Sequence, residues 1–335
     1  MKKTIEVGNI IAGPGQKVRG KLFVGEFANG VEVYIPMIVI NGTQDGPTVW
    51  LNSGIHGNEV NGIVANQRLM QELKPEEVKG AIISTIMSNP LAFKDKQRET
   101  KLDGGNLCEI FPGKEVGTIT EKMAFVLFAE IKKYADCLID YHCWGMWHDA
   151  RPYAVLKICD NPEVSRKTEE MAMVFGSHVV CKLDLTKPLD EPSPLGGALD
   201  VQCAAIGIPS FMAECGHSCW LEEEYIEFAI NGTRNVLRYL KVLDGEVIKA
   251  KDQIVLTSRE ILRCKRDGVA VVEAKPQQLV RKGERIASIL NAYGDVIDTI
   301  VAKADLYPIS LRYEPSVNPT DRIAFVGYTE GSVNL

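Results

Sequence analysis

Five short, almost uninterrupted apolar runs constrain this chain more than any other feature. They cover residues 47–51, 81–87, 136–142, 154–159 and 206–214. A strand with one wet face alternates apolar and polar residues, whereas a strand apolar throughout must be covered on both sides. Between and after these runs lie four helix-length stretches with one apolar face, at 60–73, 120–134, 162–176 and 222–243. In the first, Val60, Ile63, Val64, Leu69 and Leu73 form a stripe that stops before Pro75. In the second, Thr120 is the expected cap. The alternation predicts an α/β fold, with a mixed, mostly parallel sheet flanked by helices. Residues 1–45 read as β-structure feeding that sheet. The β-branched run 31–40 ends at the turn signals Asn41-Gly42 and Asp45-Gly46.

The pattern changes after Gly245. Short β-like runs at 268–273, 280–290, 293–297 and 322–326 are separated by turn residues, without a long helical stripe. Two domains are expected: a catalytic unit over 1–245 and a small all-β, barrel-like domain over 246–335. The tail resembles biotinyl and lipoyl carrier folds, yet no lysine is flanked by methionines as a swinging arm would require. Its expected role is structural, as a lid, or as an oligomer contact; whether the chain forms a homo-oligomer stays open.

Open α/β sheets bind ligands beyond the carboxyl ends of their strands. Chemically capable residues cluster there. His56 and Glu59 follow the run 47–51 in the glycine-flanked segment Gly54-Ile55-His56-Gly57-Asn58-Glu59. Asp140 and His142 close the run 136–142, and Glu214 closes the run 206–214. Two histidines and a glutamate are a known zinc set, which leaves a coordination position open for water or substrate. A carboxylate such as Asp140 can orient a metal-binding imidazole from behind. The long polar loop 94–117 holds Arg98 and is functional by length and composition.

At this point the chain resembles the succinylglutamate desuccinylase/aspartoacylase family of the zinc carboxypeptidase superfamily. His56-x-x-Glu59, Asn89-Pro90 with Arg98, Phe111-Pro112-Gly113, Asp140-x-His142 and Glu214-x-Gly216 occur in the family's order. The resemblance spans roughly residues 45–245, and the β-rich tail is similar to the C-terminal domain of many members. It implies one zinc per chain held by His56, Glu59 and His142. It implies Glu214 as general base and Arg98 as the group that polarises the scissile carbonyl. It also implies a zinc-dependent deacylase acting on a small N-acylated amine or amino acid. Asn89, Cys108, Glu109, Trp144 and His217 are the expected substrate-side residues. Trp147 and His148 are candidates for the pocket wall, and His217 for a proton shuttle.

One motif departs from the family. The pattern DGxDLNRxFPG reads here as Asp103-Gly104-Gly105-Asn106-Leu107-Cys108-Glu109-Ile110-Phe111-Pro112-Gly113. Cys108 replaces an asparagine and Glu109 an arginine, the pair that in relatives grips a substrate carboxylate. The charge at 109 is reversed, so an amine-bearing substrate is favoured over a carboxylate clamped at this spot, unless Arg151 supplies the clamp. A metallocarboxypeptidase, which needs a cationic anchor, is the weaker alternative. A non-catalytic metal- or ligand-binding protein is the alternative from outside enzymology, disfavoured by the presence of all five implied catalytic positions.

A net charge of −6 argues against sequence-independent nucleic-acid binding. No apolar run is long enough to span a bilayer. The N-terminal Met1-Lys2-Lys3 start lacks the apolar core of a signal peptide. The nine cysteines are scattered, with no paired metal-ribbon spacing. Together these features predict a cytoplasmic protein with reduced thiols.

Overall fold

The computed structural model describes residues 3–187 and 195–330; Met1 and Lys2 of the N-terminal reading lie outside them. Strands β1 (Ile5–Val7) and β2 (Ile10–Ala12) form a hairpin before β3 (Gln16–Glu26) and β4 (Glu32–Asn41). There follow β5 (Gln44–Ser53), α1 (Val60–Glu72), β6 (Lys79–Thr85), α2 (Pro90–Asp95), α3 (Ile119–Tyr134) and β7 (Cys137–Trp144). Next come β8 (His148–Ala150), β9 (Tyr153–Ile158), α4 (Pro162–Phe175), β10 (Val179–Asp184), α5 (Leu199–Ala205), β11 (Ser210–His217) and α6 (Glu223–Tyr239). The remaining strands are β12 (Ile254–Leu256), β13 (Ser258–Arg263), β14 (Gly268–Val272), β15 (Arg285–Leu290), β16 (Val296–Val301), β17 (Tyr307–Arg312), β18 (Ser316–Val317) and β19 (Arg322–Tyr328).

The central sheet has nine strands in the order β12-β10-β9-β11-β7-β5-β6-β4-β3. Its middle, β11-β7-β5-β6, is parallel, while β9/β11, β4/β6 and β3/β4 are antiparallel. Strand alternation divides the core. Val49, Leu51 and Ile139 face α1, α4 and α6 through Leu69, Phe175 and Ile230. Trp50 and Leu138 face α3 and α5 through Leu127 and Cys203. Burial on both faces explains why these runs are continuously apolar. No helix among the described residues is long and apolar enough to cross a membrane.

Several elements differ from the sequence expectation. Helix α3 is capped by Thr118, not Thr120: the Thr118 hydroxyl accepts from Glu121 N, and the Glu121 carboxylate reaches back to Thr118 N. Strands β7 and β11 run past the expected ends, so Trp144 and His217 are strand residues. Strand β10 and helix α5 have no counterpart in the sequence reading. The body and tail also exchange strands. β12 pairs in parallel with β10 at the edge of the large sheet, while β8 pairs with β17 in the tail. A separate apolar cluster of Tyr153, Val155, Leu256, Ile309 and Phe325 packs the tail onto the body.

Candidate metal centre and active site

The centre forms where β5, β7 and β11 lie side by side. Their register aligns Asn52 with Asp140 and His142 with Glu214. After Ser53 the chain turns sharply through Gly54, whose φ of +69° suits a residue without Cβ. Gly57 then passes against α2, where a Cβ would meet the Ala92 carbonyl carbon at 2.0 Å. This close approach brings His56 beneath the Arg98 loop and places Glu59 at the N-cap of α1. Buried Asn52 donates to Asp140 Oδ1 at 2.7 Å, fixing the carboxylate behind His142.

His56, Glu59 and His142 are each 1–3% exposed, and their ligand atoms lie within 4.8 Å of one another. His56 Nδ1 is 2.6 Å from Glu59 Oε1, and His142 Nδ1 is 3.0 Å from Glu59 Oε2. The two Nδ1 atoms are 3.3 Å apart. Behind the rings, His56 Nε2 lies 3.1 Å from Asn106 Oδ1, and His142 Nε2 lies 3.1 Å from Asp140 Oδ2. Both rear partners are acceptors, so each Nε2 carries a hydrogen. In the neutral rings each Nδ1 is then bare. Two bare nitrogens and a carboxylate converge, an arrangement that requires a shared proton or a cation. The donor set and its second layer therefore fit a metal ion.

The ionisation of the three groups follows from this crowding. Burial pushes His56 below the ordinary histidine value, against the pull of Glu59. Burial also opposes charge on His142, but the Asp140 and Glu59 carboxylates outweigh it and hold this ring well above the usual value. Glu59 resists burial as well; the two histidines hold it far below the usual carboxylate range.

Glu214 is 8% exposed on β11, beside His142. Burial, with Glu59 and Asp140 adding to it against His142 and Arg98, raises its pKa to about 7. Among the described residues its Oε2 has no hydrogen-bond partner. Arg98 Nη1 lies 3.1 Å from Glu59 Oε1, and its side chain is 43% exposed. The arrangement thus joins a cation seat, a buried carboxylate with a free oxygen and a half-exposed guanidinium.

The succinylglutamate desuccinylase/aspartoacylase catalytic-domain model matches residues 45–240, which contain this entire constellation. The chain belongs to this family. It is similar to an N-alpha-acetyl-L-2,4-diaminobutyric acid deacetylase of Halomonas elongata, at 27% identity over 88% of this chain and 85% of the relative. It is also similar to the product-bound structure of the ectoine utilization protein EutE (DoeB) from Ruegeria pomeroyi. That comparison has a TM-score of 0.82 and 25% identity, covering 93% of this chain and 95% of the other. A succinylglutamate desuccinylase from a Silicibacter species shares the fold, with a TM-score of 0.83 and 24% identity, covering 94% and 95% of the two chains.

Within this member of the succinylglutamate desuccinylase/aspartoacylase family, the expected substrate-side residues occupy different settings. Asn89 is fully buried. Its Oδ1 caps α2 by accepting from Ala92 N at 3.0 Å, and its Nδ2 donates to Thr100 Oγ1 at 2.9 Å. It therefore secures both ends of the segment carrying Arg98. Trp144 stacks on Phe325 of the tail, 4.9 Å between ring centroids, and lies 6.3 Å from the His148 ring. These residues join tail to body. His217 is buried and stacks on Trp220 at 3.8 Å, with Nδ1 unpartnered among the described residues. Cys108 is half-buried, and burial raises its thiol to about 11. Glu109 is exposed, and its Oε1 accepts from Asn106 Nδ2 at 2.7 Å. Sequence reasoning missed Asn52 and Asn106, the supports behind the two rings. The available signal for Asn106 was its place at the second aspartate of the DGxDLNR pattern.

Proposed function

We propose that this chain is a zinc-dependent amidohydrolase, with one zinc per chain, that removes the acyl group from a small N-acylated amine or amino acid. The observation carrying this reading is the convergence of His56 Nδ1, His142 Nδ1 and the Glu59 carboxylate beside buried Glu214. His56, Glu59 and His142 would hold the metal. Zinc, when bound, supplies Lewis-acid charge that polarises a carbonyl and acidifies water. Glu214, poised by burial, accepts a proton from the attacking water at a carboxylate oxygen and returns it to the departing amine. Arg98 stabilises the negative charge that develops on the carbonyl oxygen. His217 and Cys108 flank the substrate. Glu109 favours a substrate bearing an amine; the relative from Halomonas is named for an acetylated diamino acid, which fits. Residues 1–245 supply the chemistry and 246–335 a covering tail, in a cytoplasmic protein.

Purified protein is expected to carry about one zinc per chain. Chelation should abolish release of acetate from an N-acetylated diamino acid, and zinc should restore it. A native protein that hydrolyses equally well without metal would overturn the proposal.

A pH dependence follows from His142. The Asp140 and Glu59 carboxylates hold this ring well above its usual value, so a metal ion would compete with its proton and apparent zinc affinity should rise with pH. Calorimetry in buffers of different ionisation enthalpy counts the protons; a count of zero contradicts the assignment.

A further inference from the structure

We propose that Glu109 is a positioning residue: through Asn106 it determines which nitrogen of His56 is left bare for the metal. The inference rests on the zinc reading above. It begins from an asymmetry between the two histidines. Behind His142 stands Asp140, a carboxylate that only accepts, so either oxygen assigns the hydrogen to Nε2. Behind His56 stands Asn106, an amide with one accepting and one donating end. Rotating that amide by half a turn changes the instruction given to the ring while hardly changing its shape.

Two neighbours prevent the rotation. Glu109 Oε1 is 2.7 Å from Asn106 Nδ2, and an ionised carboxylate takes only the donating end. The Cys108 backbone N–H donates to Asn106 Oδ1 at 3.2 Å and requires the accepting end. Together they direct Oδ1 toward His56 Nε2 at 3.1 Å. Nε2 then carries a hydrogen, and Nδ1, 2.6 Å from Glu59 Oε1, is left for a cation or a proton shared between them. In the flipped amide, the NH2 would meet Nε2, drive the hydrogen to Nδ1 and block the metal seat. The short 3-10 turn Leu107–Glu109 is itself held firmly. Phe111 N donates to Gly197 O at 3.1 Å, and a Cβ on Gly197 would strike the Glu109 carbonyl oxygen at 1.9 Å. The reversed charge at 109 thus supports a metal ligand through its amide neighbour.

A double-mutant cycle tests the assignment. Glu109→Gln keeps the side-chain shape, but the new amide accepts either orientation of Asn106 and leaves the longer Cys108 N–H contact, at 3.2 Å, to oppose the flip. Zinc affinity, measured by competition with a chromophoric chelator, should fall about tenfold or more, the usual effect of losing a partner behind a ligand. Nitrogen-15 histidine spectra of metal-free protein should show His56 losing its Nε2–H. Asn106→Asp removes the amide ambiguity, so in that background Glu109→Gln should no longer weaken zinc binding. Unchanged affinity and tautomer in Glu109→Gln overturn the inference, as does an undiminished loss in the Asn106→Asp background. If wild-type protein takes no zinc, the metal reading fails separately, and the tautomer spectra still decide the Glu109–Asn106–His56 link.

Discussion

Glu214→Gln is expected to reduce deacylation by about 100-fold to 10,000-fold, the range a general base contributes, while leaving zinc content unchanged. Glu214 lies outside the three residues that could hold a metal ion, so its charge is not needed for the proposed zinc to bind. The same change should stabilise the metal-free protein above neutral pH. Burial raises the folded-state pKa from its ordinary 4.5 to about 7, so the folded chain holds a proton that the unfolded chain has released. Stability is therefore lost as pH rises from the unfolded value through the folded one. Glutamine carries no charge and avoids that loss, a gain of up to about 3 kcal/mol above pH 7 that fades toward pH 4. Thermal unfolding of chelator-treated protein between pH 4 and 8 reads this difference, and acyl-release assays read the activity. Undiminished turnover with zinc bound would remove Glu214 from the mechanism. A stability gain with lost activity is the signature of a group kept in an unfavourable setting for its chemistry.

The parallel middle of the sheet was legible because strands covered on both faces leave little choice of composition. Residues 81–87 and 136–142 reveal their burial without reference to any partner. His56 and Glu59 were legible for a local reason: they flank a glycine-rich turn directly after such a strand. The strand exchanges between the tail and the rest of the chain were not legible, because β8 and β12 have three residues each and gain their meaning from distant partners. Strand β10 contains Lys182 and Asp184, which interrupt the apolar signal. Thr118 was readable in principle, since Glu121 stands three residues on. Choosing Thr120 followed the first apolar face rather than the capping box. Packing was the expected competitor to a substrate-side role for Trp144, but its stacking partner Phe325, which comes from the tail, left no local mark. The charge reversal at Glu109 was plain in sequence. Its address was not, because a carboxylate acting on an amide three residues away leaves no periodic mark.

Lys157→Met should destabilise the fold by about 3–5 kcal/mol, the usual result of leaving one buried charge without its partner. Lys157 on β9 is 4% exposed, and Asp200 on α5 is 2% exposed. Nζ and Oδ1 are 2.6 Å apart, and Oδ1 also accepts from Val201 N at 3.0 Å. Oδ2 is already without a partner among the described residues. Removing the ammonium would strand an ionised carboxylate in the layer between the sheet and α5. Combining Lys157→Met with Asp200→Leu should recover most of the loss, because apolar groups of similar volume often replace a buried pair at little cost. Urea unfolding of the single and double variants separates the two effects. A loss below about 1 kcal/mol for Lys157→Met, the level of a surface pair, would mean that water reaches Asp200. Strand β9 also pairs with β11, aligning Tyr153 with Glu214. A double variant that recovers stability and keeps deacylation would therefore locate the pair's role in holding α5 to the sheet. Recovery of stability without activity would instead tie the pair's field to Glu214.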